Sequence, residues 1–295
     1  MIVAHASGVP RAPARPATAW ATCDLCPHAC RLATGERGRC RARAKRNGRV
    51  EPDNYGRITS LALDPIEKKP LARFHPGSSV LSVGSFGCNM RCSFCQNASI
   101  AQAGADDVAW RAMSAEEVVA RALALRGQGC IGVAYTYNEP LVGIEFVLDT
   151  ARCAREAGLV NVLVSNGMVS ARRLEGLLGL LDAANIDLKC FTDEGYRSLG
   201  GSLSCVRQTI ETLAAEASCH LEVTTLVVAG LNDSADQIAA MARWLSSLDP
   251  QMTYHLTRCF PRYRMADSRP TDKALLAFLA DIAREHLDDV VVGNL

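Results

Sequence analysis

From Val80 onward, short apolar runs alternate with amphipathic helical patterns, and this alternation constrains the fold more than any other feature of the chain. SVLSVGS (79–85) predicts the first strand. A Ser114/Glu117 capping box opens the helix predicted over 114–129. The remaining pattern predicts strands at 131–137, 160–166, 183–189, 221–230, 254–258 and 289–293, with helices near 141–157, 170–180, 203–217, 234–247 and 271–286. Repeated βα units imply parallel strands with right-handed crossovers. We predict an α/β fold, a partial (β/α)6 TIM-like barrel.

Three cysteines follow the first predicted strand within eight residues, CNMRCSFC. Cys88, Cys92 and Cys95 have C-x3-C-x2-C spacing, and three thiolates can hold three irons of a 4Fe-4S cluster. The fourth iron then lacks a protein ligand, and an open metal position is typical of a site that binds a small molecule. A structural zinc knot or buried, unligated thiols are the alternatives.

A second cysteine group, CDLCPHACRLATGERGRC, precedes the barrel. Cys23, Cys26, Cys30 and Cys40 can close a tetrahedral zinc site or hold an auxiliary 4Fe-4S cluster, and their spacing does not separate these two cofactors. His28 could replace one ligand. Because the segment is poor in apolar residues, we expect a metal to supply its folding energy.

Three regions follow from composition. We predict a mobile tail at 1–20, a Cys-rich metal-binding segment at 21–57 and the barrel domain at 58–295. The sequence has no apolar run of 18 residues, and thirteen cysteines suit reduced thiols and metal ligation, so we expect a cytoplasmic protein with no membrane contact. Residues 1–57 hold 11 Lys/Arg against 4 Asp/Glu, a surplus that suits RNA but is more often a solvated surface, so nucleic acid is not the expected partner.

Polar residues end several predicted strands, at the edge where βα-repeat folds bind ligands. YTYNEP ends the second strand, SNG the third, DLK the fourth and TRC the sixth. Cys190 and Cys259 also lie at strand ends on this edge, and simple burial is the alternative for both. Cys130, Cys153, Cys205 and Cys219 are expected to be core thiols, and His255 a structural histidine.

The cysteine loop, with Phe94 before its last cysteine, resembles that of the radical S-adenosylmethionine (SAM) superfamily. Over residues 21 to the C-terminus, the strings DPIEKKPL, FHPGSSVLSVGSFGCNMRCSFCQN, YTYNEP, NIDLK and TRCFPRYRM resemble AmmeMemoRadiSam-type proteins, which are pyruvate formate-lyase-activating-enzyme-like. The resemblance implies a 4Fe-4S cluster on Cys88, Cys92 and Cys95 that cleaves SAM reductively. The 5′-deoxyadenosyl radical so formed abstracts hydrogen from a small molecule or a partner protein.

The resemblance also implies roles for single residues. NEP stands where the superfamily has a GGEP-like motif, so Asn138 and Glu139 are expected at the SAM amino group, although Tyr137 and Asn138 replace its glycines. Ser165 and Asn166 are expected at the SAM ribose or carboxylate, Asp187 and Lys189 near the SAM carboxylate, and Phe94 at adenine. Tyr137, Lys189 and Arg258 are substrate-side candidates; no residue is assigned as catalytic.

The resemblance implies two kinds of partner: an external one-electron donor such as flavodoxin or ferredoxin, and an AmmeMemo-type protein. A glycyl-radical activase is one member of the predicted class. The alternatives are an RNA-modifying radical SAM enzyme and a non-catalytic metal-binding interaction module.

Overall fold

The N-terminal segment consists of two antiparallel hairpins in the computed structural model, which describes residues 19–295. β1 (Trp20–Thr22) pairs with β2 (Arg31–Ala33), and β3 (Arg43–Arg46) pairs with β4 (Arg49–Pro52). Most of the predicted tail at 1–20, namely residues 1–18, lies outside the described residues. Trp20, the last residue of that predicted tail, begins β1. Cys23, Cys26 and Cys30 therefore lie in the loop of the first hairpin.

An eight-stranded sheet forms the centre of the molecule, and a short pair flanks it. The pair is β5 (Arg57–Ile58) with β8 (Arg111–Ala112). The sheet strands are β6 (Ser60–Pro65), β7 (Ser79–Gly84), β9 (Cys130–Tyr135), β10 (Val160–Ser165), β11 (Ala183–Asp187), β12 (His220–Val227), β13 (Thr253–Arg258) and β14 (Val290–Gly293). Their order is β14-β13-β12-β11-β10-β9-β7-β6, and all neighbours are parallel except the antiparallel pair β6–β7.

Eight helices, counted over residues 19–295, connect the strands. They are α1 (Ala98–Ala101), α2 (Ala115–Ala124), α3 (Ile144–Glu156), α4 (Ala171–Leu174), α5 (Asp193–Ser198), α6 (Leu203–Ala214), α7 (Ala235–Leu248) and α8 (Lys273–Arg284). The predicted capping box of α2 is present, with Ser114 and Glu117 each bonded to the other's backbone N–H. Within the described residues, no helix is long and apolar enough to cross a membrane.

The predicted partial (β/α)6 barrel is confirmed: six βα units, starting at β7 and ending with the helix after β13, precede the last strand β14. Each predicted strand overlaps an observed strand, and its two ends differ from the observed ends by at most three residues. The predicted helix at 170–180 is reduced to α4 and one turn of 3-10 helix. The sequence did not predict β6, because its residues fall in a stretch that reads as a connector.

The segment between β6 and β7 closes the amino-terminal end of the barrel. Its apolar side chains, Ile66 and Leu71 among them, pack against the first residues of the strands. The buried Glu222 carboxylate accepts hydrogen bonds from the backbone N–H groups of Ala72 and Arg73 at 2.9 and 2.8 Å. The open end is therefore the carboxyl edge of the strands, where the cysteine loop lies.

Candidate functional site

A cavity of about 320 Å³ opens at the carboxyl edge of the sheet and collects most of the predicted site residues. Cys88, Cys92 and Cys95, from the loop after β7, line it together. The other predicted residues that line it are Phe94, Tyr137, Asn138, Glu139, Asn166, Asp187 and Lys189. The predicted residues that line the cavity thus come from the ends of four neighbouring strands, β7, β9, β10 and β11, as expected for this fold.

The three thiols of the cysteine loop are buried or half-buried, and two N–H groups point at one of them. The backbone N–H of Met90 and the Asn166 side-chain amide donate to Cys88 Sγ at 3.4 and 3.5 Å. Burial nevertheless raises the pKa of all three thiols, that of Cys92 to about 11. Thiolates here therefore need a nearby cation. This donor set fits a cluster of iron held by three cysteines.

Glu139 lies at the centre of the site, and its side chain is almost fully buried. Its Oε1 accepts from Ser165 Oγ at 2.8 Å and from the Leu141 backbone N–H at 3.0 Å; Oε2 accepts from the Asn166 backbone N–H at 2.8 Å. A carboxylate offers about four acceptor positions, so one is left at Oε2. Burial, partly opposed by these hydrogen bonds, raises the pKa of Glu139 to about 7. A cation bound at this open position would favour the charged form.

Lys189 and Asp187 form an ion pair in the wall of the cavity, with Lys189 Nζ 2.8 Å from Asp187 Oδ2. Burial opposes the charge on Lys189, but the Asp187 carboxylate and the Cys92 thiolate outweigh it and raise the lysine pKa. Lys189 is therefore a fixed cation facing the cysteines. It suits an anionic group of a ligand or the negative charge of a thiolate-bound cluster.

Two residues of the YTYNEP string shape the wall of the cavity. The Asn138 amide donates to the carbonyl oxygens of Phe86 and Gly87 at 3.2 and 3.1 Å, which ties it to the start of the cysteine loop. Tyr137 adopts a positive φ of 71° and donates its hydroxyl to Asp64 Oδ2 at 2.6 Å. Tyr137 therefore has a backbone conformation that favours glycine, and its hydroxyl bonds to Asp64 of β6.

Several predicted rim residues are not brought to the cavity. Ser165 is buried and does not line the cavity; its hydroxyl donates to Glu139 and accepts from the Gly167 backbone N–H. Arg258, a substrate-side candidate, is held elsewhere because its Nε donates to the Thr271 carbonyl at 2.7 Å and its guanidinium lies over Phe260. Cys190 and Cys259 are buried and do not line the cavity.

The histidine and the other thiols mostly follow the prediction of a structural role. His255 Nε2 lies 2.5 Å from the Glu222 carboxylate in the interior, which confirms a structural histidine. Cys130, Cys205 and Cys219 are buried as expected, but Cys153 is only half-buried.

Further lining residues were missed by the sequence analysis. Pro70 comes from the segment that closes the barrel, Thr224 and Leu226 from β12 and Asn294 from the residues after β14. Thr257 of the predicted TRC strand end lines the cavity as well. The Thr224 hydroxyl is buried and has no hydrogen-bond partner among the described residues. The alternation along β12 would have placed Thr224 and Leu226 on the inner face, next to Asp187 in register.

The four N-terminal cysteines lie close together in front of the cysteine loop. The Cys23 backbone N–H donates to the Cys30 carbonyl at 2.9 Å, and the Arg39 N–H donates to Cys30 Sγ at 3.4 Å. Burial raises the pKa of Cys40 to about 11 and that of Cys26 in the same direction. His28 Nε2 lies 2.8 Å from the Asn89 carbonyl oxygen, so this nitrogen donates a proton and is not free to ligate.

Neither cysteine group is arranged around a single metal ion. Between residues 19 and 295, no group of three or more His, Cys, Asp or Glu side chains is arranged to hold a single metal ion. This is so for Cys88, Cys92 and Cys95 as well, whose spacing suits a cluster of several irons.

Comparison with known proteins identifies the family. The Radical SAM superfamily pattern matches residues 82–245, from β7 into α7. The chain is 38% identical over 274 residues to the uncharacterized protein MJ0808 of Methanocaldococcus jannaschii, a match that covers 92% of this chain and 80% of that protein. It is 28% identical over 155 residues to the pyruvate formate-lyase 1-activating enzyme of Escherichia coli K12, covering 51% of this chain and 61% of the relative.

Two solved structures support the same fold. The structure of SuiB from Streptococcus suis bound to S-adenosylmethionine superposes with a TM-score of 0.55 at 12% identity. The match covers 70% of this chain and 48% of the SuiB chain. A radical SAM methyltransferase from Sphaerobacter thermophilus covers 74% of this chain and 67% of its own with a TM-score of 0.54 at 18% identity. At these identities the likeness is one of fold.

Proposed function

Because the chain belongs to the radical SAM superfamily, we propose that it cleaves S-adenosylmethionine reductively at a 4Fe-4S cluster and uses the product radical to abstract hydrogen. The observation that supports this most is the single cavity shared by the three loop cysteines, Glu139 and Lys189. The thiols would hold three irons, and the fourth would be left for SAM. When bound, the cluster supplies the electron that cleaves SAM to methionine and a 5′-deoxyadenosyl radical.

The side chains around the cavity have separable tasks. Glu139 would accept the SAM ammonium at the remaining position of Oε2, since its other acceptor positions are filled by the protein. Charge-assisted hydrogen bonds of this kind are about twice as strong as neutral ones. Lys189, which lines the same cavity, supplies positive charge. Phe94 and Met90 are buried beside the cysteines and limit the access of water.

The test is anaerobic reconstitution with iron and sulfide, reduction with dithionite, and chromatography of the SAM products. We expect 5′-deoxyadenosine and methionine from the wild-type chain, and neither from a variant with Cys88, Cys92 and Cys95 all replaced by Ala. A reconstituted wild type that binds four irons yet leaves SAM intact would exclude this function and favour a non-catalytic module.

A glycyl-radical activase is the more specific candidate, and the similarity to the E. coli activating enzyme favours it. We expect a glycyl radical, visible by electron paramagnetic resonance, when the reduced protein is incubated with SAM and its protein substrate. An AmmeMemo-type protein is the first partner to supply, and flavodoxin or ferredoxin is the electron donor to compare with dithionite. Formation of 5′-deoxyadenosine without a protein radical would exclude the activase and leave a small-molecule substrate.

The N-terminal cysteines form a proposed second metal site. All four cysteines come from one short segment, and either zinc or an auxiliary 4Fe-4S cluster would satisfy four thiolates once the side chains converge on it. Metal analysis of the Cys88/Cys92/Cys95 triple-Ala variant separates the two. Four residual irons with sulfide would identify a cluster, and one zinc would identify a structural ion.

A further inference from the structure

Asn89, between Cys88 and Cys92, is fixed by partners from two separate parts of the molecule, and only 1% of its surface is exposed. Its carbonyl oxygen accepts from His28 Nε2 at 2.8 Å. Its side-chain Nδ2 donates to the Met168 carbonyl at 2.6 Å, and its Oδ1 accepts from Asn166 Nδ2 at 3.0 Å. One residue of the cysteine loop therefore joins the N-terminal segment to the loop that follows β10.

On the N-terminal side, the contact is made by the cysteine-bearing hairpin loop itself. His28, which donates to the Asn89 carbonyl, lies between Cys26 and Cys30 in that loop. The Arg91 guanidinium, two residues after Asn89, donates to the Arg39 carbonyl, next to Cys40. A change in the ligation of the N-terminal cysteines would therefore alter hydrogen bonds made by the loop that carries Cys88 and Cys92.

On the active-site side, the contact passes through Asn166. Its side-chain amide donates to Cys88 Sγ at 3.5 Å as well as to Asn89. Its backbone N–H donates to Glu139 Oε2 at 2.8 Å, the oxygen with an open acceptor position. Asn166 therefore contacts both a cluster cysteine and the carboxylate expected to bind the SAM ammonium.

We propose that Asn89 is a positioning residue that couples the N-terminal cysteine group to the SAM site through Asn166, so that metal held by the first group strengthens SAM binding at the second. The inference rests on the proposed function, because it takes the cavity as a SAM site. Asn89, Asn166 and Glu139 are buried, while His28 and Cys26 are half-buried. A buried hydrogen-bond network loses more than the sum of its pairs when one member is left unpaired. Coupling of this kind is reciprocal, so SAM would also slow the loss of metal from the N-terminal group.

The experiment is a double-mutant cycle in the full-length reconstituted protein, with Cys26→Ala, Asn89→Ala and both together. The readouts are the dissociation constant of SAM, from calorimetric titration, and the midpoint potential of the Cys88/Cys92/Cys95 cluster. Each single change should weaken SAM binding by roughly 5- to 50-fold, within the usual range of coupling between sites. The double variant should bind SAM no more weakly than the single variant with the lower SAM affinity. The half-buried Cys153→Ala, on α3, is the matched thiol control and should leave both readouts unchanged.

A second pair of variants protects the test against misfolding. His28→Gln keeps a donor for the Asn89 carbonyl and should retain wild-type SAM affinity, while His28→Ala should lose affinity with all four cysteines intact. Effects of Cys26→Ala and Asn89→Ala that multiply, or equal affinities in the two His28 variants, would overturn the coupling. If the wild type fails to cleave SAM, the proposed function is wrong. The midpoint potentials of the four proteins in the double-mutant cycle still show whether the effects of Cys26→Ala and Asn89→Ala are coupled.

Discussion

A Cβ atom placed on Gly87 would lie 2.6 Å from the carbonyl oxygen of Cys40 and 2.6 Å from Ala42 Cβ. Gly87 also has a φ of 91°, in the region that favours glycine. The first cysteine loop of the barrel and the last cysteine of the N-terminal segment are therefore in backbone contact. The absence of a side chain at one position allows the two cysteine groups to pack together.

Gly87→Ala should both strain the backbone and separate the two cysteine groups. We expect a loss of about 2–5 kcal/mol in the free energy of unfolding, since a positive φ costs an L-residue about 1–2 kcal/mol and overpacking adds about 1–3 kcal/mol. We also expect less iron bound after reconstitution. Gly48→Ala is the matched control, because Gly48 has a φ of 81° and nothing within 4 Å of the added atom. Equal losses in the two variants would show that contact with Cys40 is unimportant.

Glu139→Gln should weaken SAM binding without emptying the cluster site. Loss of a hydrogen bond to a charged group costs about 1.5–3 kcal/mol, so we expect roughly a 10- to 150-fold higher dissociation constant with iron content near the wild-type value. Ser165→Ala is the control, since Ser165 bonds to Glu139 but does not line the cavity. It should change SAM affinity far less than Glu139→Gln, and the reverse order would assign the ligand contact to Ser165.

The sequence predicts the barrel well because strand and helix periods are local properties, and it predicts which strand ends carry polar residues. It does not predict where a long side chain goes after the strand ends. Arg258 illustrates this, because a neighbouring carbonyl and the Phe260 ring hold its guanidinium outside the cavity. The sequence also does not predict the hydrogen bonds of Asn89, since the partners of Asn89, His28 and Asn166, are 61 and 77 positions away along the chain. Contacts over such separations depend on the packing of the whole domain.

The N-terminal segment should depend on an ion pair between a buried arginine and a half-buried glutamate of the barrel. Arg43, on β3, donates two hydrogen bonds to Glu145, on α3, at 2.7 and 2.8 Å, and only 2% of its side chain is exposed. Removing one partner of a fully buried pair costs about 3–5 kcal/mol because the other charge remains buried, and the low end applies here because 31% of the Glu145 side chain is exposed. Glu145→Ala should therefore lower the free energy of unfolding by about 3 kcal/mol, as measured by urea denaturation.

The control for this pair is Asp281→Ala, which removes an exposed partner of Arg284 on α8. Exposed pairs contribute about 0–1 kcal/mol, so this variant should unfold close to the wild type. A Glu145→Ala protein as stable as Asp281→Ala would mean that Arg43 regains solvent and that the segment is not anchored by this pair.

Glu222 should make the closed end of the barrel sensitive to acid. Burial alone would raise its pKa, but hydrogen bonds from His220, His255 and the backbone N–H groups of Ala72 and Arg73 outweigh burial and lower the pKa to about 2. A carboxyl group with a depressed native pKa stabilises the fold above its unfolded pKa, about 4.5, and this contribution is lost as the pH falls toward 2. At about 1.4 kcal/mol per unit, the loss approaches about 3 kcal/mol.

Urea unfolding of the metal-free chain between pH 6 and pH 3 measures this contribution. The wild type should lose stability steeply below about pH 4.5, where the unfolded carboxyl group takes up its proton first. Glu222→Gln should be less stable at pH 6 and show a shallower slope, because it has no such group to protonate. Glu285→Gln, which changes an exposed carboxyl group after α8, should keep the wild-type slope. A Glu222→Gln slope equal to that of the wild type would assign the acid sensitivity to other carboxyl groups and leave Glu222 as a neutral hydrogen-bond acceptor for the closing segment.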